Sequence, residues 1–491
     1  MERAGRTLSK STASGKIRDV LVSATDLLVL ERGADEMLIC RPETLRPVYL
    51  RRGGAFVKSL LKRVGREIAR GSLLAEYDQD RGLLQLLEDH QILQSPEQAM
   101  NFSPRQEACV SHDFAVTYLT VTTACNLSCA YCLGGKKDRG DSVQKMSLET
   151  ALRAVEQACE QVTSGGVVEV AFFGGEPLQN WPLVKSIGEA CTNEIQQQYP
   201  DKEVRLSMVS NLAELPDDLV EWSLEQGVSF LCDIDGPQGV HDSQRPFVTG
   251  AGSWAAVTGN VRRLTSTGIP VGLRMTITAL NQEHMMETAR LYKELGARSC
   301  AFVPVQPVDC DGRFLSEDLL PDIDMMTAGL RQVYESGLWE VEELFPLSGY
   351  QKRLQVGGVG TGPGCGSFSG QTPVVSPAGD VYPCVYLAGN HKYCVGSVQG
   401  KTPFDWMKLR DLHDGLLTTN LPECRRCSWR TLCGGGCSVP RLLIGPDSDA
   451  PVAVREYARK VNCGFITAAF ELLLWDQATR THAKLTGDTC L

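Results

Sequence analysis

Residues 122–132 read TTACNLSCAYC, and Cys125, Cys129 and Cys132 fall within eight residues directly after an apolar, β-rich run. A thiol becomes a metal ligand when it loses its proton, and thiolates grouped on one short loop hold iron–sulfur clusters or zinc. Three ligands from one loop leave a fourth coordination position open, which is where a metal centre does chemistry. Structural zinc takes four protein ligands, and no fourth Cys or His follows closely after Cys132.

A second concentration lies towards the C-terminus. Cys365 is followed after thirteen residues by Gly379 and after four more by Cys384; then come Cys424, Cys427, Cys433 and Cys437 in CRRCSWRTLCGGGC, and finally Cys463. These groups take ten of the nineteen cysteines, and a disulfide framework is not expected in a long chain of a reducing compartment. The remainder, such as Cys159, Cys191 and Cys232, lie singly and read as small buried hydrophobes. Zinc ribbons use four thiolates in tighter loops, so iron–sulfur ligation is the better reading and zinc the alternative.

These residues must be carried by a scaffold. From residue 114 onward, β-rich runs alternate with helical patterns, the mark of a parallel sheet with helical crossovers. The runs AVTYLTVT, VVEVAFF, VRLSMVS, VSFLCDI, PVGLRMTIT and CAFVPVQPV, with the helix-like segments between them, make six β/α units. In such barrels the functional residues gather at the strands' carboxyl ends. Those ends include the cysteine loop, Gly174–Pro177 in FFGGEP, Ser210–Asn211, Asp235–Pro237, Arg274–Thr278 and Val303–Pro307.

Cys125, Cys129, Tyr131 and Cys132 fit CxxxCxΦC, and the chain here resembles the radical S-adenosylmethionine family. The resemblance implies a [4Fe–4S] cluster on the three cysteines, its fourth iron chelated by S-adenosylmethionine, which on reduction yields a 5′-deoxyadenosyl radical. The GGEP loop one β/α unit later strengthens it. Gly174 and Gly175 would permit close backbone approach to a ligand, and Glu176 would accept from the methionyl ammonium. DIDGPQGVHDSQR resembles a segment of SPASM-type members, implying cofactor contacts for Asp235 and Arg245, with Asp233 standing where a serine is usual. Ser210, Asn211 and Arg274 are further candidates, a structural salt bridge being the alternative for either arginine.

The C-terminal spacing is similar to the seven-cysteine SPASM pattern. It implies two auxiliary [4Fe–4S] clusters, one on Cys424, Cys427, Cys433 and Cys463, the other, nearer the barrel, on Cys365, Cys384 and Cys437. Only three cysteines serve the nearer cluster, which leaves an iron for a substrate thiolate or another ligand; Cys310 and Cys394 are the nearest candidates from the chain itself. The Gly-rich VGGVGTGPG before Cys365 lacks the GK[ST] of a phosphate loop and reads as a turn.

The expected fold is α/β: a partial (β/α)6 TIM barrel over 114–308, an N-terminal winged-helix-like domain over 20–95 and an iron–sulfur SPASM domain over 365–491. Residues 1–19 read as a flexible N-terminus, 96–113 as a linker, 309–364 as a bridge and 464–480 as a covering helix. Strand patterns in LLVLERGADEMLIC and RPVYL, then helical ones in AFVKSLLKRVGREIA and DRGLLQLLEDHQIL, resemble the peptide-recognition element of ribosomal-peptide biosynthesis, which binds a leader peptide as an added strand. A packing domain or a DNA-reading winged helix remains the alternative.

A net charge of −10 without a long Lys/Arg cluster argues against nucleic acid as the main partner. No apolar run reaches the roughly 18 residues of a membrane span, and the N-terminal residues lack an apolar signal region. The chain is expected to be soluble and cytoplasmic, supplied with electrons by a flavodoxin- or ferredoxin-type reductant. The leading expectation is a maturase of a ribosomally made peptide, forming a thioether or carbon–carbon cross-link. The alternative is an anaerobic sulfatase maturase making formylglycine, although such enzymes resemble one another in an Asp after the second SPASM cysteine, where this chain has Val385 and Tyr386. A noncatalytic iron–sulfur electron-transfer protein is the reading from another class. No catalytic acid or base is identified by sequence.

Overall fold

The computed structural model describes residues 20–23, 27–32, 36–41, 47–51, 59–60, 62–63, 67–69, 81–95, 112–132, 143–356, 362–444 and 448–486. The chain divides into two compact units, residues 1–105 with 473–491 and residues 106–472.

In the smaller unit, β1 (Val20–Ser23) pairs antiparallel with both β5 (Glu67–Ala69) and β6 (Leu93–Gln94), while β2 (Leu28–Arg32), β3 (Glu36–Cys40) and β4 (Val48–Arg51) form an antiparallel meander. Register puts Met37 opposite Leu50 and Ile39 opposite Val48. These four join Leu60, Ile68, Leu84, Leu87 and Ile92 in one core, beside helix Arg81–Asp89. The helix expected over 55–69 is not continuous: Glu67–Ala69 is a strand paired with β1, and Ile68 is buried in this core. The expected flexible residues 1–19 and most of the expected linker lie outside the described residues. The last helix, Ile466–Thr486, was expected to cover the cysteine domain, but from Leu473 it belongs to the smaller unit, where the Trp475 ring lies 6.2 Å from Tyr49 and under the Arg32 guanidinium at 4.6 Å.

The larger unit is built on a ten-stranded sheet. Its parallel strands β7 (His112–Thr122), β8 (Val162–Gly174), β9 (Glu203–Val209), β10 (Ser229–Asp233), β11 (Val271–Ile277) and β12 (Ser299–Pro304) lie side by side in chain order. Helices Leu148–Gln161, Trp181–Ala190, Leu219–Gln226, Trp254–Thr265 and Met285–Glu294 connect them. Strand periodicity decides which side chains face the site. In β11, Val271, Leu273, Met275 and Ile277 are buried on one face, which sets Arg274 on the other.

Two boundaries differ from the sequence reading. The expected bridge, 309–364, supplies helix Ile323–Glu335 and β13 (Leu344–Phe345), which pairs parallel with β12 and completes another β/α unit. At the opposite edge, β14 (Val374–Val375) pairs parallel with β7 and is followed by antiparallel β15 (Asp380–Tyr382) and β16 (Gly396–Ser397). The cysteine-rich region is therefore no separate layer: it begins as an extension of the barrel sheet, which closes the ladder edge that β7 would otherwise expose. Residues 357–361, in the Gly-rich approach to Cys365, lie outside the described residues. No helix among the described residues is long and apolar enough to cross a membrane.

Candidate functional site

The cysteine loop leaves β7 and is fixed from two sides. On one side Gly175 N–H donates to Thr122 O at 2.9 Å and Glu176 N–H to Ala124 O at 2.7 Å. A Cβ at Gly174 would collide with Thr122 O, and one at Gly175 would meet Thr123 O at 2.7 Å. The two glycines thus let the β7 and β8 loops lie against each other. On the other side Ser128 N–H donates to Pro246 O and Ala130 N–H to Gln244 O, both at 2.8 Å.

Glu176 is only 2% exposed and holds a third loop. Its Oε1 accepts from Leu178 N at 3.0 Å and Ser210 Oγ at 2.8 Å, and its Oε2 from Asn211 N at 2.7 Å. Burial raises its carboxyl above the ordinary range, against these hydrogen bonds. One acceptor position remains on Oε2, so a ligand ammonium can add to a carboxylate already fixed by the protein. Asn211 returns to the cysteine loop, its Nδ2 donating to Asn126 Oδ1 at 2.8 Å and lying 3.9 Å from Cys125 Sγ. The turn continues through Leu212, buried at φ +50°, a conformation costly for a branched side chain and held by Leu212 N–H to Ser210 Oγ at 3.0 Å.

Tyr131, expected to touch the cofactor, is the underside of the loop. Its hydroxyl donates to Asp235 and accepts from Arg245 Nη1 at 2.6 Å. Asp235 is 0% exposed and also accepts from Thr276 N at 3.0 Å; burial pushes its carboxyl up to about 6. His241, also wholly buried, accepts from Asp235 N at 3.1 Å and is bonded through Nε2 to Ser253 Oγ at 3.0 Å. Burial drives His241 down to about 3, so it is neutral and structural. Asp235 and Arg245, both expected near the cofactor, thus brace the loop from beneath Tyr131. Arg245 Nε alone is buried without a partner.

Arg274 is likewise engaged: Nε meets Asp233 Oδ1 at 2.6 Å and Nη2 meets Oδ2 at 3.0 Å. Burial alone would raise the Asp233 carboxyl, but Arg274, then Arg245, hold it below the usual range. This is the structural salt bridge that stood as the alternative for Arg274.

The ten candidate ligand cysteines sort into three sets by the charges that act on them. Cys132 acts on Cys125 and Cys129, Cys365 acts on Cys384 and Cys437, and Cys427 acts on Cys424, Cys433 and Cys463. Burial pushes Cys129, Cys384 and Cys433 up to about 12 and Cys437 to about 11, and raises Cys125, Cys424 and Cys463. Such thiols keep their protons until a cation displaces them. Among the described residues no three His, Cys, Asp or Glu side chains converge tightly enough to enclose one metal ion. Cations stand beside two of the cysteines: Arg441 Nη2 lies 3.7 Å from Cys424 Sγ, and Arg353 binds Cys433 O at 3.3 Å. The Cys394 thiol donates to Gly396 O at 3.2 Å.

Several residues around the cysteines were given no role by the sequence. Asn462, 4% exposed, accepts from Cys437 N and donates to Cys437 O, both at 3.0 Å, and its own carbonyl lies 3.8 Å from Cys433 Sγ. It thereby joins two cysteine sets. Gly434, Gly435 and Gly436 take φ of +63°, +81° and +77°, the left-handed run that lets Cys433 and Cys437 serve different sets; a Cβ at Gly436 would stand 2.9 Å from Asn462 O. Tyr386, pushed up to about 12 by burial, feels Arg274, Cys384 and Cys437. Gln306 reaches Cys437 from the end of β12. Only Asn462's place directly before Cys463 offered a sequence signal.

The Radical SAM superfamily model matches residues 119–292. A cysteine-type anaerobic sulfatase-maturating enzyme of Clostridium perfringens is 21% identical over 64% of this chain and 86% of its own length. Mycofactocin maturase MftC of Mycobacterium tuberculosis is 23% identical over 67% of this chain and 80% of its own. Among solved structures, anSMEcpe with bound AdoMet matches 74% of this chain and 99% of its own with a TM-score of 0.59 at 18% identity. Streptococcus suis SuiB bound to precursor peptide SuiA matches 87% and 97% with a TM-score of 0.50 at 13% identity. Both share the fold. With its three-cysteine loop at the end of β7 and maturases among its relatives, the chain carries a domain of the radical SAM superfamily.

Proposed function

We propose that this chain is a radical S-adenosylmethionine maturase that abstracts a hydrogen from a residue of a ribosomally made precursor peptide and forms a thioether or carbon–carbon cross-link. The observation that carries the reading is the loop of Cys125, Cys129 and Cys132, held against Gly174–Glu176 and Ser210–Asn211 at the barrel mouth. Cys125, Cys129 and Cys132 would hold a [4Fe–4S] cluster, which with bound S-adenosylmethionine supplies a 5′-deoxyadenosyl radical. Glu176 would orient the methionyl ammonium, while Tyr131, Asp235 and Arg245 keep the loop rigid from beneath. Arg274, paired with Asp233, would shape the site beside the cofactor.

Cys365, Cys384 and Cys437, and Cys424, Cys427, Cys433 and Cys463, would hold two auxiliary clusters, the first with an iron free for a substrate thiolate or other ligand. The antiparallel meander of the smaller unit suits strand addition by a leader peptide. SuiB, whose structure contains a precursor peptide, and the maturase MftC favour this substrate class. Likeness to the sulfatase-maturating enzyme favours formylglycine formation as a second reading, against which Val385 and Tyr386 stand after Cys384. A flavodoxin- or ferredoxin-type protein would deliver the electron.

Incubation of reduced, iron-reconstituted enzyme with S-adenosylmethionine and short peptides encoded beside its gene tests the reading. A cross-linked peptide loses the mass of two hydrogens without gaining a carbonyl. An aldehyde formed on a sulfatase-derived peptide, with no change in any precursor, would overturn it in favour of the second. Removing residues 20–95 is expected to weaken precursor binding while uncoupled cleavage of S-adenosylmethionine continues; unchanged precursor affinity would refute the recognition role.

A further inference from the structure

The end of β12 is stitched to the cysteine-rich region at two adjacent residues. Val305 O accepts from Tyr457 Oη at 2.8 Å, and Gln306 Nε2 donates to Cys437 Sγ at 3.8 Å, within range for a sulfur acceptor. The Gln306 backbone has little freedom, because Val305 N–H donates to Ile277 O at 3.0 Å and Pro307 O accepts from Leu315 N at 2.9 Å. Its Oε1 is buried and without a partner among the described residues. A half-buried carboxamide that leaves its buried oxygen unpaired while its N–H₂ points at sulfur is already aimed as a donor, and once Cys437 is a ligand thiolate the flipped amide would set oxygen lone pairs against it.

We propose that Gln306 is a redox-tuning residue, its side-chain N–H donating to the Cys437 thiolate and raising the reduction potential of the iron–sulfur group on Cys365, Cys384 and Cys437. A donor to a ligating sulfur stabilises the more negative, reduced state. The donor comes from the barrel strand, so the tuning is applied from the side of the radical site. The inference rests on the proposed assignment of these three cysteines to an auxiliary cluster.

The test is an anaerobic redox titration of the reconstituted full-length enzyme followed by electron paramagnetic resonance, the relevant signal being the one lost in Cys384→Ala. Gln306→Met, similar in length and without a donor, is expected to lower the midpoint so that the reduced-to-oxidised ratio at the wild-type midpoint falls about tenfold, about 59 mV for a one-electron couple. Gln306→Glu is expected to lie below wild type at high pH and to return towards it as the introduced carboxyl gains a proton it can donate. The set on Cys424, Cys427, Cys433 and Cys463 is expected to keep its midpoint in both. Wild-type midpoints in both variants, or equal shifts in both auxiliary signals, would overturn the proposal. So would loss of the nearer set's iron in both variants, because a tuning donor is dispensable for assembly. Absence in the wild type of any signal that depends on Cys384 would instead overturn the cluster assignment on which the proposal stands.

Discussion

Arg274 lies beside Asp233 in the parallel register of β10 and β11 and grips it with Nε to Oδ1 at 2.6 Å and Nη2 to Oδ2 at 3.0 Å. Replacing Asp233 by Ser leaves the guanidinium without its counter-charge, and the apoprotein is expected to lose about 2 kcal/mol in denaturant unfolding. A loss within error would show that Arg274 finds another partner.

The same pair sets a pH dependence. The folded-state carboxyl of Asp233 is held low, so its contribution is complete above the unfolded value of about 3.9 and disappears as pH falls through the lower folded value. Between pH 6 and pH 3, wild type should lose more stability than Asp233→Asn. Parallel curves would contradict the ion pair.

Glu176→Gln places a donor against a donor in either amide orientation, facing Asn211 N–H or Leu178 N–H. Affinity of reconstituted enzyme for S-adenosylmethionine, measured by equilibrium dialysis, is expected to fall about tenfold or more, equivalent to about 1.4 kcal/mol. Unchanged affinity would mean that the carboxylate serves the loops alone.

Asn462→Ala removes both hydrogen bonds to the Cys437 backbone. Iron content after reconstitution is expected to drop in the C-terminal sets while the Cys125–Cys132 loop still fills, with about 2 kcal/mol lost in unfolding. Asn462→Asp, which keeps the acceptor, should fall between. Full iron loading in the Ala variant would remove Asn462 from the scaffold.

What was legible in the sequence was whatever repeats locally. Strand periodicity marked β7 to β12 within a few residues, and the spacing of Cys125, Cys129 and Cys132 announced the loop without any knowledge of its neighbours. Pairings across the sheet were not legible. Asp233 and Arg274 are separated by a full β/α unit and meet only through register, while Gln306 and Cys437 meet because β14 folds the cysteine-rich region back onto β7. Gly174 and Gly175 were visible as a motif, yet their contact with Thr122–Ala124 follows from the adjacency of two strands. Short strands such as β13 and β14, two residues each, carry too little pattern to be read at all.

The central claim is that Cys125, Cys129 and Cys132 carry the centre that cleaves S-adenosylmethionine, and formation of 5′-deoxyadenosine by reduced, reconstituted protein tests it most directly. Wild type is expected to form it, and the variant with all three cysteines changed to Ala to form none while keeping the iron of the C-terminal cysteine sets. Continued formation in the triple variant, or none in fully loaded wild type, would contradict the account.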